Sequence, residues 1–124
     1  IEDSEEHAHW VKGLLSARMA ERLQLTWAAS VTEASSRLRR ANLDLVLLDL
    51  GLPDLSGFRT HRAVRLLAPE LPIVILTSND GALSRDMALL NGVVEYLVKS
   101  DLTSELLCSA IWRAYSSTNG GMLT

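Results

Sequence analysis

Apolar residues cluster in four short segments that are separated by longer and more polar ones. The short segments have the length of β-strands and are rich in aliphatic residues. They read LQLTWAA at 23–29, LDLVLLDL at 43–50, LPIVILT at 71–77 and VVEYLVK at 93–99. A strand with one solvated face alternates apolar and polar residues, whereas these segments are almost continuously apolar. The pattern therefore predicts parallel strands of a sheet that is buried on both faces.

The intervening segments repeat apolar residues every three or four positions, the spacing of one face of an α-helix. The five apolar stripes begin at Trp10, Val31, Phe58, Leu83 and Leu102. Alternating strands and helices predict a doubly wound α/β domain with five helices around one parallel sheet. Because five helices require five strands, we expect a first strand that ends near 1–3 and continues upstream of Ile1.

Composition narrows the class of protein. A chain of 124 residues predicts one domain, which we place at 1–115 with a linker or tail at 116–124. The net charge of −3 argues against direct nucleic acid binding through a broad basic surface. Cys108 is the single cysteine, so an intrachain disulfide is impossible. No apolar run approaches the ~20 residues of a membrane span and no signal peptide opens the chain, so we expect a soluble, cytoplasmic protein with no membrane contact.

Polar residues stand where the predicted strands end. In open parallel sheets, ligands bind beyond the carboxyl ends of the strands, so these residues are the candidates for a site. They are Glu2 and Asp3 after the first strand, Asp49 after the third, Thr77 after the fourth and Lys99 after the fifth. Three acids, a hydroxyl and an amine are therefore predicted to converge at one edge.

The acids need a compensating cation. Two carboxylates about 4 Å apart repel by about 4 kcal/mol at an effective dielectric constant near 20. Since all the acids offer oxygen, and histidine and cysteine are missing from these strand ends, the ligand set favours Mg²⁺. Mg²⁺ commonly bridges carboxylates to a phosphate, which makes Asp49 a candidate nucleophile toward a phosphoryl group. Thr77 and Lys99 would then contact the phosphoryl oxygens.

This arrangement resembles the receiver domain of response regulators in two-component signalling. That family carries an acidic pair, a phosphoacceptor Asp, a Thr or Ser, an aromatic residue and a Lys, in this order and at these strand ends. The matching residues are Glu2, Asp3, Asp49, Thr77, Tyr96 and Lys99, and LPDLSG at 52–57 matches the loop after the phosphoacceptor. The resemblance covers essentially the whole chain.

The resemblance implies a fold, a metal site and a reaction. The fold would be flavodoxin-like, with five parallel strands in the order 2-1-3-4-5. Mg²⁺ would be held by Asp3, Asp49, Glu2 and the backbone carbonyl of Gly51. Asp49 would accept a phosphoryl group from the phosphohistidine of a sensor histidine kinase or a phosphotransfer protein.

The resemblance also implies a switch. Phosphorylation would draw Thr77 toward the phosphoryl oxygens and let Tyr96 turn inward, which would change the surface formed by the fourth helix, the fifth strand and the fifth helix. That surface would control an output domain beyond Thr124 or on another chain, or form a homodimer. The domain would assist its own phosphorylation and dephosphorylation without being an enzyme in its own right.

Three other functions would use parts of the same residue pattern. An aspartyl-phosphate hydrolase of the haloacid dehalogenase type uses an acid two residues after the nucleophile, where this chain has Gly51. In a flavodoxin-like cofactor carrier, Glu2 and Asp3 would repel the phosphate. A pseudo-receiver that only binds protein is left open, although the complete set of acids, hydroxyl and lysine counts against it. His7 and His9 are predicted to be surface residues on a first helical turn, without the spacing of a zinc site.

Overall fold

The computed structural model describes residues 1–19, 24–39, 43–50, 58–77 and 95–118. The elements are α1 (Glu5–Met19), α2 (Val31–Leu38), β1 (Val46–Asp49), α3 (Phe58–Leu67), β2 (Ile73–Thr77), β3 (Glu95–Val98), a short 3₁₀ helix (Lys99–Asp101) and α4 (Ser104–Thr118). The α/β fold is the one predicted from the alternation of strands and helices. The predicted fourth helix, at 83–90, lies outside the described residues.

The sheet is parallel, with β1, β2 and β3 side by side in that order. These are the predicted third, fourth and fifth strands. Asp49 pairs with Leu76 across β1 and β2, and Thr77 pairs with Val98 across β2 and β3. Because the strands run in one direction, their carboxyl ends lie at the same edge of the sheet.

The first residues of the chain extend this sheet beyond β1. The backbone nitrogen of Asp49 donates to the carbonyl of Ile1 at 3.0 Å, and that of Glu2 donates to the carbonyl of Ala28 at 3.0 Å. Ile1 and Glu2 therefore lie between β1 and the segment that contains Ala28, which agrees with the predicted order 2-1-3-4-5. The strand predicted at 23–29 is not formed over the described residues 24–28, because a strand needs a ladder of backbone hydrogen bonds and Ala28 supplies one rung.

Both faces of the sheet are covered by helices. Leu48 and Ile75 pack with Val64 of α3 and with α2 in one core cluster. Leu76 packs with Leu107 of α4 and with α1 in another. Successive residues of a strand point to opposite faces, so the neighbours Ile75 and Leu76 belong to different clusters. This accounts for the almost continuous apolar character of the strands.

Local hydrogen bonds determine where α1 begins. The Ser4 hydroxyl accepts a hydrogen bond from the backbone nitrogen of His7 at 3.2 Å, which is the contact expected of an N-cap. The helix therefore begins directly after Glu2 and Asp3 and places its first turn next to the carboxyl edge of the sheet.

The last helix, α4, is longer than the sequence indicates. Residues 116–118 were expected to begin the tail, but α4 continues through them to Thr118. Polar residues fit the last turn of a helix because that turn needs no buried face. Residues 119–124 lie outside the described part, and the domain boundary stays a prediction. None of the described helices combines the length and the apolarity needed to cross a bilayer.

Candidate functional site

The strand ends bring three of the predicted site residues to one edge of the sheet. Asp49 is the last residue of β1, Thr77 is the last of β2, and Lys99 follows β3. All three are buried, with exposed fractions of 7% for Asp49, 3% for Thr77 and 7% for Lys99. Buried charges are costly unless they are paired, so the surroundings of Asp49 and Lys99 determine what this edge can do.

The carboxylates of Glu2, Asp3 and Asp49 form a cluster. One oxygen from each side chain lies within 4.8 Å of the others. Glu2 and Asp49 are buried and Asp3 is exposed, so the cluster opens to solvent on the side of Asp3. Three oxygen donors fit a hard cation such as Mg²⁺ better than zinc. The fourth predicted ligand, the carbonyl of Gly51, lies outside the described residues.

Lys99 contacts two of these acids unequally. Its Nζ lies 2.6 Å from Oε2 of Glu2 and 3.7 Å from Oδ2 of Asp49. The first distance is that of a charge-assisted hydrogen bond, and the second is an ion pair too long for one. Lys99 therefore hydrogen-bonds to Glu2 and forms a longer ion pair with Asp49. Glutamate has one methylene more than aspartate, which lets its carboxylate reach across the edge.

The electrostatic environment of Glu2 is that of a crowded acidic site. Burial raises the pKa of Glu2, and the neighbouring charge of Asp49 raises it further. The hydrogen bonds from Lys99 and from the backbone nitrogen of Ser4, the latter 3.2 Å from Oε1, oppose this shift without cancelling it. A cation at the carboxylates would relieve the same crowding.

Two residues that the sequence analysis did not assign to the site contact it. His7 was predicted to be a surface residue; its side chain is 46% exposed, and its Nδ1 also lies 3.0 Å from Nζ of Lys99. The N-cap at Ser4 was the available signal, because it places the third residue of α1 over the strand ends. The indole nitrogen of Trp27 donates to the carbonyl of Glu2 at 2.6 Å. No sequence signal indicated that contact, which joins residues from different segments.

Tyr96, the predicted switch residue, lies in the core of the domain. Its side chain is 7% exposed and belongs to the core cluster that contains Leu48 and Ile75. The inward turn expected on phosphorylation stays a prediction.

Comparison with known proteins gives consistent matches. The family model described as the response regulator receiver domain matches residues 1–111. The swarming motility regulation protein RssB of Serratia marcescens is 33% identical over 96 residues, which cover 77% of this chain and 44% of RssB. The chain thus spans less than half the length of that relative.

Solved structures share the fold. A response regulator receiver domain from Clostridium thermocellum is 26% identical, with a TM-score of 0.79 and coverage of 99% of this chain and 94% of that one. The receiver domain of the sensor histidine kinase PA1611 from Pseudomonas aeruginosa PAO1 is 24% identical, with a TM-score of 0.77 and coverage of 94% and 93%. The PA1611 structure has a magnesium ion coordinated in its active site cleft.

Proposed function

The chain belongs to the family of response regulator receiver domains, and we propose that its Asp49 accepts a phosphoryl group from a phosphohistidine. Receiver domains are signalling domains that interact with histidine kinases and with output domains. The observation that carries the proposal is the buried Asp49 carboxylate, which lies within 4.8 Å of two other carboxylates. The donor is a sensor histidine kinase or a phosphotransfer protein.

The transfer step is a displacement at phosphorus. A carboxylate oxygen of Asp49 forms a bond to the phosphorus as the bond from phosphorus to the donor imidazole nitrogen breaks. The electron pair of that bond stays on the imidazole, which leaves neutral when its other nitrogen carries a proton. The Lys99 ammonium, 3.7 Å from Oδ2 of Asp49, is close enough to contact the phosphoryl oxygens. The Thr77 hydroxyl at the end of β2 is the second donor toward them.

Glu2, Asp3 and Asp49 are the described residues that would hold Mg²⁺. A bound Mg²⁺ neutralises charge on the phosphoryl oxygens and on the acids around them. The oxygen-only donor set and the raised pKa of Glu2 both support a cation at this position. The magnesium ion in the cleft of the PA1611 receiver domain supports the same assignment.

The aspartyl phosphate is removed by hydrolysis, and while it lasts it changes the surface of the domain. Water attacks the phosphorus of the aspartyl phosphate, the bond to the Asp49 oxygen breaks, and inorganic phosphate and the carboxylate are regenerated. While the phosphoryl group is present, it draws Thr77 and alters the surface to which β3 and α4 contribute. Because Tyr96 starts from a buried position, its part in this change is an adjustment within the core. The surface acts in the cytoplasm on an output domain beyond Thr124 or on another chain, or on a second copy.

The test is phosphorylation by a small donor. The purified protein is incubated with Mg²⁺ and acetyl phosphate, and its intact mass is measured. We expect the wild type and the control Asp44→Asn, a change at an exposed residue just before β1, to gain one phosphoryl group, and Asp49→Asn to gain none. A wild type that gains none would favour a module that only binds protein. A gain that persists in Asp49→Asn would show that another residue is the acceptor.

A further inference from the structure

The ammonium group of Lys99 is held by two residues near the start of the chain. Its side chain is only 6% exposed, and Nζ lies 2.6 Å from Oε2 of Glu2 and 3.0 Å from Nδ1 of His7. Nδ1 of His7 is farther from Glu2, at 3.7 Å from Oε1. Lys99, and not Glu2, is therefore the hydrogen-bond partner of the imidazole.

This contact determines the form of the imidazole. An ammonium group has three N–H donors and no acceptor, so Nδ1 of His7 must accept the hydrogen bond. This hydrogen bond requires the tautomer whose proton is on Nε2. His7 thus contributes a lone pair, and no charge, to a site that already contains three carboxylates.

Neighbouring groups of α1 hold the His7 ring in place. Its backbone nitrogen donates to the Ser4 hydroxyl at 3.2 Å in the first turn of the helix. Its ring packs edge-on against Trp10, with centroids 6.4 Å apart and planes at 63°. The side chain is 46% exposed, so the ring lies at the mouth of the site with Nδ1 facing inward.

We propose that His7 is a positioning residue that holds the Lys99 ammonium in place for phosphoryl transfer to Asp49. The inference rests on the proposed function. Glu2 has a second prospective partner in a bound cation, which would weaken its hold on Lys99. His7 lacks negative charge and remains bonded to Lys99 in either case. With two N–H groups directed to Glu2 and His7, the third is left for the phosphoryl oxygens on Asp49.

The first experiment measures the affinity for beryllofluoride, a phosphoryl mimic, in the presence of Mg²⁺. We expect His7→Ala to weaken this affinity about tenfold, the loss of one hydrogen bond to a charged group. His7→Asn, which keeps an acceptor near the position of Nδ1, should recover most of the loss. The control Ser16→Ala, at an exposed residue farther along the same helix, should stay within about twofold of the wild type, since an exposed side chain two turns from His7 contributes little.

The same variants separate positioning from a structural role. If His7 positions Lys99, His7→Ala keeps the wild-type affinity for Mg²⁺ alone, and His7→Asn recovers the beryllofluoride affinity. If the Mg²⁺ affinity of His7→Ala falls along with its beryllofluoride affinity, or if His7→Asn recovers nothing, His7 is structural and the inference is overturned. Unchanged beryllofluoride affinity in His7→Ala, beside a wild type that binds, would overturn this inference and leave the proposed function standing. A wild type that binds no beryllofluoride would overturn both.

The second experiment does not depend on phosphoryl chemistry. Imidazole ¹⁵N chemical shifts of the unphosphorylated protein report which ring nitrogen carries the proton. We expect His7 to be in the Nε2–H form, and we expect Lys99→Met to shift the His7 resonances while leaving those of His9 unchanged. A His7 ring protonated on Nδ1 would show that Lys99 does not bond to it and would overturn the inference.

Discussion

Single residues at the carboxyl edge are stabilised by one another. Glu2, Asp49 and Lys99 are all buried, and the ammonium of Lys99 lies within ion-pair distance of both carboxylates. Removing one member of a buried ion pair leaves the other uncompensated, and this costs far more than losing an exposed pair. Replacing a buried charged side chain here should therefore change the stability of the fold. Replacing an exposed one should change mainly the binding of ligands.

Glu2 and Asp3 should separate these two effects. We expect Glu2→Ala to destabilise the protein by about 3 kcal/mol, because the buried ammonium of Lys99 then loses its closest hydrogen-bond acceptor. Asp3→Asn, at an exposed residue, should leave stability within about 0.5 kcal/mol while it weakens Mg²⁺ binding. Urea unfolding measures the first effect, and Mg²⁺ titration followed by tryptophan fluorescence measures the second. Equal stability of the two variants would contradict the buried ion pair.

His61 should make stability depend on pH. It is 5% exposed, and burial, together with the nearby charge of Arg65, lowers its pKa. The unfolded chain, with an ordinary histidine pKa of about 6.5, then binds a proton at a pH where the folded chain does not. Above about pH 6.5 His61 is neutral in both states and costs no stability. As the pH falls from there toward the lower pKa of His61 in the folded chain, the unfolded chain gains a proton first, and the folded state loses stability.

A matched pair of variants isolates the contribution of His61. Urea midpoints are compared at about pH 7.5 and about pH 5.5, on either side of the ordinary histidine pKa. We expect the wild type and the exposed control His9→Gln to lose stability equally between the two conditions, and His61→Gln to lose less. If His61→Gln loses as much as the wild type, His61 is not the group that titrates.

In the described helices and strands, burial can be compared with the spacing of apolar residues. In α4 the buried positions Leu107, Ala110 and Ala114 lie on the face toward the sheet, while Leu106 and Trp112 lie on the exposed side. In β2 every residue is buried because helices cover both faces of the sheet. The stripe predicted from Leu102 onward is confirmed at Ala110 and Ala114 and wrong at Leu106, because the face toward the sheet includes the neighbouring Leu107 instead.

The neighbours Leu106 and Leu107 test this assignment directly. Leu107 is 0% exposed and Leu106 is 46% exposed. We expect Leu107→Ala to cost about 2–5 kcal/mol, because it opens a cavity in the core, and Leu106→Ala to cost less than about 1 kcal/mol. Urea unfolding of the two variants gives both numbers. Similar losses would mean that the buried face of α4 has been assigned incorrectly.

At the scale of the whole molecule, the site exists only in the folded chain. Glu2 and Lys99 are 97 residues apart in sequence, and Asp49 lies between them on another strand. The unfolded chain does not assemble the three acids. Any cation that binds them therefore binds the native state selectively and stabilises it by mass action.

Mg²⁺ should accordingly raise the melting temperature. At a free concentration 100 times the dissociation constant, one such site contributes about 2.7 kcal/mol. Melts are compared in Mg²⁺, in chelator, and in sodium chloride of equal ionic strength, which separates binding from screening. We expect the melting temperature of the wild type to rise in Mg²⁺ and not in sodium chloride. In Asp49→Asn the rise in Mg²⁺ should be smaller. Superimposed melts of the wild type in Mg²⁺ and chelator would contradict a metal site at the acids.

The sequence by itself determined the α/β fold and the strand ends that carry Asp49, Thr77 and Lys99. These follow from local periodicity and from the rule that parallel strands end at one edge, which a single chain already contains. Only the tertiary structure decided which groups bond there. Whether Lys99 meets Glu2, His7 or Asp49 depends on differences of about an ångström between segments that are distant in sequence, to which hydrogen bonds are sensitive and hydrophobic patterns are not.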